Sequence, residues 1–243
     1  MAEPYTYEQI AGMIDHSLLN PALTTDELEE GCRLARAYEV ASVCIMPWYA
    51  ARCAALLAAS TVNTSTTIGF PHGGHHTSTK LAEIEQALAD GATELDAVIN
   101  ISAARSGDWD YVARELRALT EATHKGGAKI KVIFENAYLD DPAKIRLCEI
   151  CGEIGADWVK TSTGYAASGA THEDLRLMRQ HSPASVQVKA AGGVRDLDAL
   201  LKVREIGVTR VGATRTATML DECRRRLGLV PVAVFNSMQP AGY

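Results

Sequence analysis

The feature that most constrains this chain is a regular alternation of two patterns. Short apolar runs rich in β-branched residues alternate with longer helical patterns. The junction between them is often Gly followed by Ala or Val, as in "DGATELDAVIN" and "EIGVTRVGAT". A glycine in this place ends a helix with a positive φ, and a short turn then leads into a buried strand. The predicted strands cover residues 12–15, 40–46, 64–70, 93–100, 129–135, 157–163, 185–190 and 208–212.

A helix is predicted after each of these strands. Eight strands alternating with eight helices in 243 residues indicate a (β/α)8 TIM barrel, an α/β fold that typically needs about 250 residues. An open, doubly wound sheet is the alternative, and the missing G-x-G-x-x-G after the first strand weakens it. No linker divides the chain, so residues 1–243 are predicted to form a single domain with a flexible C-terminal tail at 229–243.

The overall composition excludes several classes of protein. The formal net charge of −6 argues against nucleic acid and against a membrane surface as partners. No apolar run approaches the ~20 residues of a membrane span. The N-terminal "MAEPYTYEQI" is acidic where a signal peptide is first basic and then apolar, so we expect a cytoplasmic protein. Its six cysteines are then reduced thiols, and Cys148 and Cys151 of "CEIC" are predicted to lie on a helix face.

Charged residues occur in strands whose inner face should line the barrel. Alternate side chains of a barrel strand point inward, which places Lys160, Lys189 and Asp96 on inner faces and Asp15 at the end of the first strand. Buried charges are costly unless they are paired. Lys131 and Glu135 share one face of the fifth strand, and they either lie deeper in the barrel or pair with one another. Charges at the carboxyl ends of strands, by contrast, are where barrels carry out chemistry.

Two lysines on adjacent parallel strands point to one kind of chemistry. A free lysine with a pKa of ~10.4 is almost wholly protonated at pH 7 and is a poor nucleophile. A second ammonium group about 4 Å away opposes its charge by ~4 kcal/mol, which is enough to bring one amine near neutrality. Such an amine attacks carbonyl groups to form a Schiff base. Asp96 and Asp15 are predicted to keep the other lysine charged and to carry protons.

Glycines follow the last three strands. Gly164 comes after Lys160, Gly192 and Gly193 after Lys189, and Gly212 before Thr214. Backbone N–H groups at such turns, close to helix N-termini, bind phosphate. Barrels often hold phosphate with the loops after the seventh and eighth strands, so a phosphate site is predicted here.

The chain resembles the deoxyribose-phosphate aldolases. The resemblance rests on "IDHSLL", "SVCIMPWY", "TTIGFPHGG", "ELDAVINI", "KVIFE", "VKTSTGY", "GATHED", "VKAAGGVR" and "VGAT", which occur in the family's order from about residue 13 to residue 214. It implies a class I aldolase without metal or other cofactor that cleaves 2-deoxy-D-ribose 5-phosphate reversibly to acetaldehyde and D-glyceraldehyde 3-phosphate. The expected partners are therefore phosphosugars and small aldehydes, and the expected assembly is a homo-oligomer, either a dimer or a tetramer.

The resemblance also implies roles for individual residues. Lys160 would form the Schiff base, Lys189 would lower its pKa, and Asp96 would take part in proton transfer. The phosphate site would be lined by Gly164, Gly192, Gly193, Gly212 and Thr214. The family often ends in tyrosine, which implies that Tyr243 folds over the mouth of the barrel and shuttles a proton.

A few positions and alternatives stay open. Cys44 either faces the site or is a small buried residue, and Lys80 is predicted to begin the exposed face of the next helix. The histidines His72, His75 and His76 resemble a metal cluster, but no carboxylate stands beside them at ligand spacing. Another Schiff-base aldolase such as a transaldolase and a phosphosugar-binding barrel without catalysis are the alternative functions. A metal-dependent barrel hydrolase would need His-x-His after the first strand, where only His16 is present.

Overall fold

The structure is a computed structural model, which describes residues 3–232. Eight strands form a closed barrel in the order β1 to β8, with every neighbouring pair parallel. The strands are β1 Ile14–Leu18, β2 Ser42–Ile45, β3 Asn63–Ile68, β4 Glu94–Val98, β5 Lys129–Ile133, β6 Trp158–Lys160, β7 Gln187–Ala191 and β8 Arg210–Ala213. The predicted (β/α)8 fold is confirmed.

Helices connect the strands and cover the outside of the barrel. Within residues 3–232 they are α1 Tyr7–Ala11, α2 Thr25–Ala37, α3 Ala50–Leu57, α4 Thr77–Ala89, α5 Ile101–Arg105, α6 Trp109–Lys125, α7 Asp141–Ile154, α8 His172–His181, α9 Leu197–Glu205 and α10 Thr216–Arg226. The short helices α1 and α5 were not predicted, because each is little more than one turn long. None of the helices in the described part combines the length and apolar character that a membrane crossing requires.

Local signals in the sequence explain where several helices begin and end. Thr24 caps α2 and exchanges hydrogen bonds with Glu27 three residues later, which satisfies two backbone N–H groups of the first turn. Thr171 caps α8 in the same manner by accepting a hydrogen bond from the Asp174 N–H. Gly155 ends α7 with a φ of 72°, a conformation that glycine adopts without steric cost. The chain therefore turns where the sequence predicts.

The barrel strands separate apolar from polar side chains. On β4 and β7, Leu95, Ala97, Val188 and Ala190 point toward the helices and belong to the hydrophobic core between helices and barrel. The alternate positions of these strands carry charged side chains into the barrel interior. Lys160 of β6 and Lys189 of β7 are direct partners in the register of the two strands. Their side chains therefore leave the sheet side by side.

Candidate active site

Lys160 and Lys189 bind the same carboxylate oxygen. The Nζ atom of Lys160 lies 2.7 Å from Oδ2 of Asp96, and the Nζ atom of Lys189 lies 2.8 Å from that same oxygen. All three side chains are almost wholly buried, because β4, β6 and β7 direct them into the barrel. The predicted juxtaposition of the two lysines with Asp96 is therefore present in the structure.

Asp15 joins the same group of side chains from a different position than expected. The strand β1 runs from Ile14 to Leu18, so Asp15 lies near its beginning and deep in the barrel. The prediction that it ends the first strand was wrong, because the polar residues His16 and Ser17 continue the strand. From this depth Asp15 still reaches the ammonium group of Lys189 at 2.6 Å.

Lys131 and Glu135 do not pair with one another. Lys131 lies deep in the barrel, where its ammonium group is 2.6 Å from Glu94 and 2.9 Å from Asp96. Glu135 turns away from it, since its backbone is left-handed with a φ of 56° and its carboxylate accepts hydrogen bonds from Thr163 N and Oγ1. The sequence left open whether these two residues lie deeper in the barrel or pair with one another. The structure shows Lys131 deeper in the barrel and no pair.

Arg210 completes the ion-pair network and was not found from the sequence. Its guanidinium group contacts Asp15 and makes two hydrogen bonds to Glu94, at 3.0 and 2.8 Å. It also lies over the ring of Trp158, with 5.1 Å from Cζ to the ring centroid. A charged residue near the start of the short strand β8 was the available signal, and only the closed barrel shows that it points inward.

The connected network contains more positive than negative groups. Four cations, from three lysines and Arg210, meet three carboxylates, from Asp15, Glu94 and Asp96. If every group were ionised, the buried network would carry one excess positive charge. Loss of one proton from one lysine removes that excess, and the electrostatic environment determines which lysine gives it up.

The environment affects the two strand-end lysines in opposite directions. Burial lowers the pKa of Lys160, and the positive charge of Lys189 lowers it further against the attraction of Asp96. Burial also disfavours the charge on Lys189, but Asp15 and Asp96 outweigh it and raise the pKa of Lys189. Burial by itself would raise the pKa of Asp96, yet Lys131, Lys160 and Lys189 hold it well below its ordinary value. Lys160 is therefore the lysine favoured to become neutral.

A cavity of about 670 Å³ opens beside Lys160 at the carboxyl ends of the strands. We call it the lysine cavity. Its walls include Lys160 and the five residues predicted for the phosphate site: Gly164, Gly192, Gly193, Gly212 and Thr214. The structure therefore brings the predicted nucleophile and the predicted anion-binding turns to one cavity.

Two of the glycines in this wall are required by close backbone contact. A Cβ atom on Gly169 would come within 2.5 Å of the Gly192 backbone, and one on Gly192 would lie 2.9 Å from Cα of Gly169. Gly192 also has a φ of 77°. The backbone N–H of Ala170 donates hydrogen bonds to the carbonyl groups of Ala191 and Gly192, each at 3.0 Å. Larger residues would push these two turns apart and change the wall of the cavity.

Two arginines in the wall were not predicted. Arg195 follows the Gly192–Gly193 turn, and Arg215 follows Thr214 directly before α10. Both side chains are exposed at the rim of the lysine cavity. Their positions directly after the glycine turns, in "GGVR" and "GATR", were the sequence signal that could have identified them.

The remaining predictions have different outcomes. Cys44 is buried and faces the network, with its Sγ atom 4.0 Å from Oδ2 of Asp96. The prediction that Lys80 is exposed was wrong, since Lys80 is fully buried and forms an ion pair with Glu115 at 2.9 Å. Cys148 and Cys151 are buried in α7.

Within residues 3–232, no three His, Cys, Asp or Glu side chains are grouped as metal ligands. Tyr243 lies outside the described residues.

Comparison with known proteins defines the class. Residues 10–221 match the family described as DeoC/LacD family aldolases. The chain is an aldolase and thus a lyase, built on a TIM barrel. It belongs to the DeoC/LacD aldolase family.

Individual relatives agree with this assignment. The chain is 61% identical to a deoxyribose-phosphate aldolase of Rhodopirellula baltica over 239 residues, which are 98% of this chain and 99% of that protein. It is 46% identical to deoxyribose-phosphate aldolase 1 of Bacillus licheniformis, over 85% of this chain and 92% of that protein. The tetrameric deoxyribose phosphate aldolase from Aeropyrum pernix has a similar structure, with a TM-score of 0.84, 29% identity, and coverage of 90% of this chain and 92% of that one.

Proposed function

We propose that this protein cleaves 2-deoxy-D-ribose 5-phosphate reversibly to acetaldehyde and D-glyceraldehyde 3-phosphate through a Schiff base on Lys160. The observation that carries the proposal is the sharing of one Asp96 oxygen by Lys160 and Lys189, whose pKa values shift in opposite directions. The names of the relatives support the choice of substrate. The lysine cavity supports it as well, because it offers an amine nucleophile and an anion-binding wall in one space.

Lys160 is the nucleophile in this proposal. Its neutral amine attacks the C1 carbonyl of the open-chain sugar, and loss of water gives an iminium ion. The C3 hydroxyl then loses its proton, the C2–C3 bond breaks, and its electron pair moves into the iminium to form an enamine. D-glyceraldehyde 3-phosphate leaves at this stage. Protonation of the enamine carbon and hydrolysis of the imine release acetaldehyde and restore the amine.

Lys189, Asp96 and Asp15 manage charge and protons around the amine. Lys189 remains an ammonium group because Asp15 and Asp96 both pair with it. Its charge disfavours protonation of Lys160. The Asp96 carboxylate contacts both amines, so it bridges the Lys189 ammonium group and the reacting nitrogen. Asp96 contacts both amines and is the group through which a proton passes between them. Asp15 holds Lys189 in place and is anchored by a hydrogen bond of 2.7 Å from Ser42.

The phosphate of the substrate binds at the glycine turns. Gly164, Gly192 and Gly193 have positive φ values and line the lysine cavity, and turns of this backbone conformation offer N–H groups that bind anions. Gly212 lies near the end of β8, and Thr214 follows that strand directly. Helix α10 begins two residues after Thr214. The N-terminus of a helix favours negative charge, so this wall suits a phosphate dianion.

Two further features belong to the proposal. Tyr243 is the predicted proton shuttle, and deletion of this residue should lower the rate at which enamine carbon protons exchange with solvent. The tetrameric relative supports a homo-oligomer. Light scattering after size-exclusion chromatography would detect it as a mass of at least twice 26.1 kDa, the mass of one chain. Unchanged proton exchange after the deletion would contradict the role of Tyr243. A monomer in solution would contradict the homo-oligomer.

The direct experiment is an activity assay with defined substrate. Purified protein is incubated with 2-deoxy-D-ribose 5-phosphate, and release of acetaldehyde and D-glyceraldehyde 3-phosphate is followed by NMR with and without a chelator. We expect both products in equal amounts in each case, and none with Lys160→Leu. Lys125→Leu, at an exposed lysine that ends α6, is the matched control. Binding of the sugar phosphate without cleavage would instead favour a phosphosugar-binding barrel.

A further inference from the structure

The loop after β6 separates two cavities at the mouth of the barrel. One is the lysine cavity described above. The other, which we call the second cavity, has a volume of about 580 Å³, and its wall includes Glu135 and Tyr138 but not Lys160. Thr163 and Ala166 line both cavities. The two spaces are therefore neighbours, and residues 163–166 form the wall between them.

Tyr165 extends this wall across the mouth. Its hydroxyl group donates a hydrogen bond to the carbonyl oxygen of Leu19, with an O–O distance of 2.6 Å. Its ring meets that of Phe70 edge to face, with 5.5 Å between centroids and 87° between planes. Leu19 follows β1 and Phe70 follows β3, and each of these strands lies three positions from β6 around the closed barrel, in opposite directions. One tyrosine thus connects three separate parts of the rim.

The backbone of Tyr165 is hydrogen-bonded as well as its hydroxyl group. The backbone N–H of Tyr165 donates to Thr163 Oγ1 at 3.0 Å, and the Thr163 hydroxyl in turn donates to Glu135. Glu135 is 2% exposed and has a left-handed backbone, a conformation that a non-glycine residue keeps only when its surroundings hold it there. A side chain anchored at both ends forms a fixed partition rather than a freely rotating group.

We propose that Tyr165 is a specificity-determining residue of the aldolase reaction. It confines a carbonyl compound on Lys160 to the lysine cavity and excludes aldehydes whose apolar body would have to occupy the second cavity as well. Entry of such an aldehyde requires the ring to leave Phe70 and the hydroxyl to leave Leu19, and both losses oppose binding. This inference rests on the proposed function, because it assumes that Lys160 forms imines.

The test compares a small and a bulky aldehyde on the same lysine. The protein is incubated with acetaldehyde or phenylacetaldehyde, borohydride is added, and the rate of adduct formation on Lys160 is measured by peptide mass spectrometry. The quantity of interest is the ratio of the phenylacetaldehyde rate to the acetaldehyde rate. We expect Tyr165→Ala to raise this ratio by about tenfold or more, the effect of relieving steric exclusion in an apolar pocket.

Two further variants make the test specific. Tyr138→Ala removes another exposed tyrosine from the wall of the second cavity but leaves the partition in place, so the ratio should remain at the wild-type value. Tyr165→Phe keeps the ring and loses the hydrogen bond to Leu19, so the ratio should rise by about fivefold or less. If Tyr165→Ala does not fold, a rise in Tyr165→Phe beyond that of Tyr138→Ala supports the partition.

The outcomes separate this inference from the proposed function. An unchanged ratio in Tyr165→Ala, or in Tyr165→Phe where only that variant folds, would overturn the partition and leave the aldolase mechanism intact, provided that acetaldehyde adducts on Lys160 are normal. An equal rise in Tyr138→Ala would also overturn it, because cavity size alone would then set the specificity. The absence of any acetaldehyde adduct on wild-type Lys160 would overturn both proposals.

Discussion

Lys160 and Lys189 face each other across β6 and β7 and donate to one carboxylate oxygen, that of Asp96. Two ammonium groups on one oxygen repel each other, and the second carboxylate, Asp15, contacts only Lys189 of the two. The pair is therefore unequal, with one lysine well compensated and the other poorly compensated. This inequality explains how a buried network can hold one neutral amine and one ammonium group at the same pH.

Removal of the charge at position 189 should raise the pKa of Lys160. In Lys189→Leu, Asp96 attracts the Lys160 ammonium without competition from its neighbour. Because the neutral amine is the nucleophile in the proposed mechanism, a higher pKa moves the acid limb of the pH profile of kcat/KM to higher pH. At pH 7 we expect kcat/KM to fall by about 100-fold or more. The measurement is the pH dependence of deoxyribose 5-phosphate cleavage, with Lys125→Leu as the control. An acid limb that stays in place would show that Lys189 does not tune Lys160.

Substitution of Gly192 should weaken phosphate binding without preventing imine formation. In Gly192→Ala the new Cβ atom lies 2.9 Å from Gly169, and the residue must keep a φ of 77°. We expect KM for the phosphorylated sugar to rise by about tenfold or more, the equivalent of about 1.4 kcal/mol, while acetaldehyde still forms its adduct on Lys160. KM for the phosphorylated sugar reports the effect on phosphate binding, and the rate of acetaldehyde trapping reports the effect on imine formation.

Gly127 offers a matched control for this substitution. It has a φ of 76°, but a Cβ atom there would meet nothing within 4 Å. Gly127→Ala therefore introduces the same backbone strain in the loop before β5, far from the glycine turns. An equal rise of KM in both variants would assign the effect to loss of stability rather than to the phosphate site.

Removing one partner of the buried ion pair of Lys80 and Glu115 should destabilise the fold more than removing both. Both side chains are fully buried, and the Lys80 ammonium also donates to the carbonyl of Val98 at 2.9 Å. Lys80→Met leaves the Glu115 carboxylate without its cation, and we expect a loss of about 3–5 kcal/mol in the free energy of unfolding. The double variant Lys80→Met with Glu115→Leu should recover most of that loss. Urea denaturation followed by circular dichroism measures each value.

The double variant determines how this result is interpreted. If it is as unstable as Lys80→Met, packing around the lysine stem rather than the buried charge is responsible for the loss. If Lys80→Met is as stable as the wild type, the ion pair contributes nothing measurable.

Much of the fold was predictable because the relevant signals are local. Glycine at helix ends, threonine caps and β-branched runs each act over a few residues, and their regular repetition is typical of a barrel. The boundary of β1 was wrong because polar residues continue that strand, and polarity near a strand end normally indicates a loop. Helix α6 begins after Asp108, whose side chain caps it by accepting a hydrogen bond from the Tyr111 N–H.

The site was predictable only where two signals coincided. Lys160 and Lys189 could be paired because adjacent parallel strands bring equivalent positions together. Lys80 was misplaced because its partner Glu115 is 35 residues away on another helix, and sequence periodicity carries no information about such a contact. The same applies to Arg210, whose carboxylate partners lie on β1 and β4. Glu135 left its expected face because its backbone is left-handed, which no residue in "KVIFE" indicates.

The central claim, that Lys160 forms the imine while Lys189 stays charged, is tested most directly by trapping with acetaldehyde and borohydride. Peptide mass spectrometry locates the two-carbon adduct, which we expect on Lys160 alone in the wild type. It should be lost in Lys160→Leu and reduced in Lys189→Leu. An adduct on Lys189 or Lys131 would contradict the assignment of roles, and the absence of any adduct would contradict the Schiff-base mechanism.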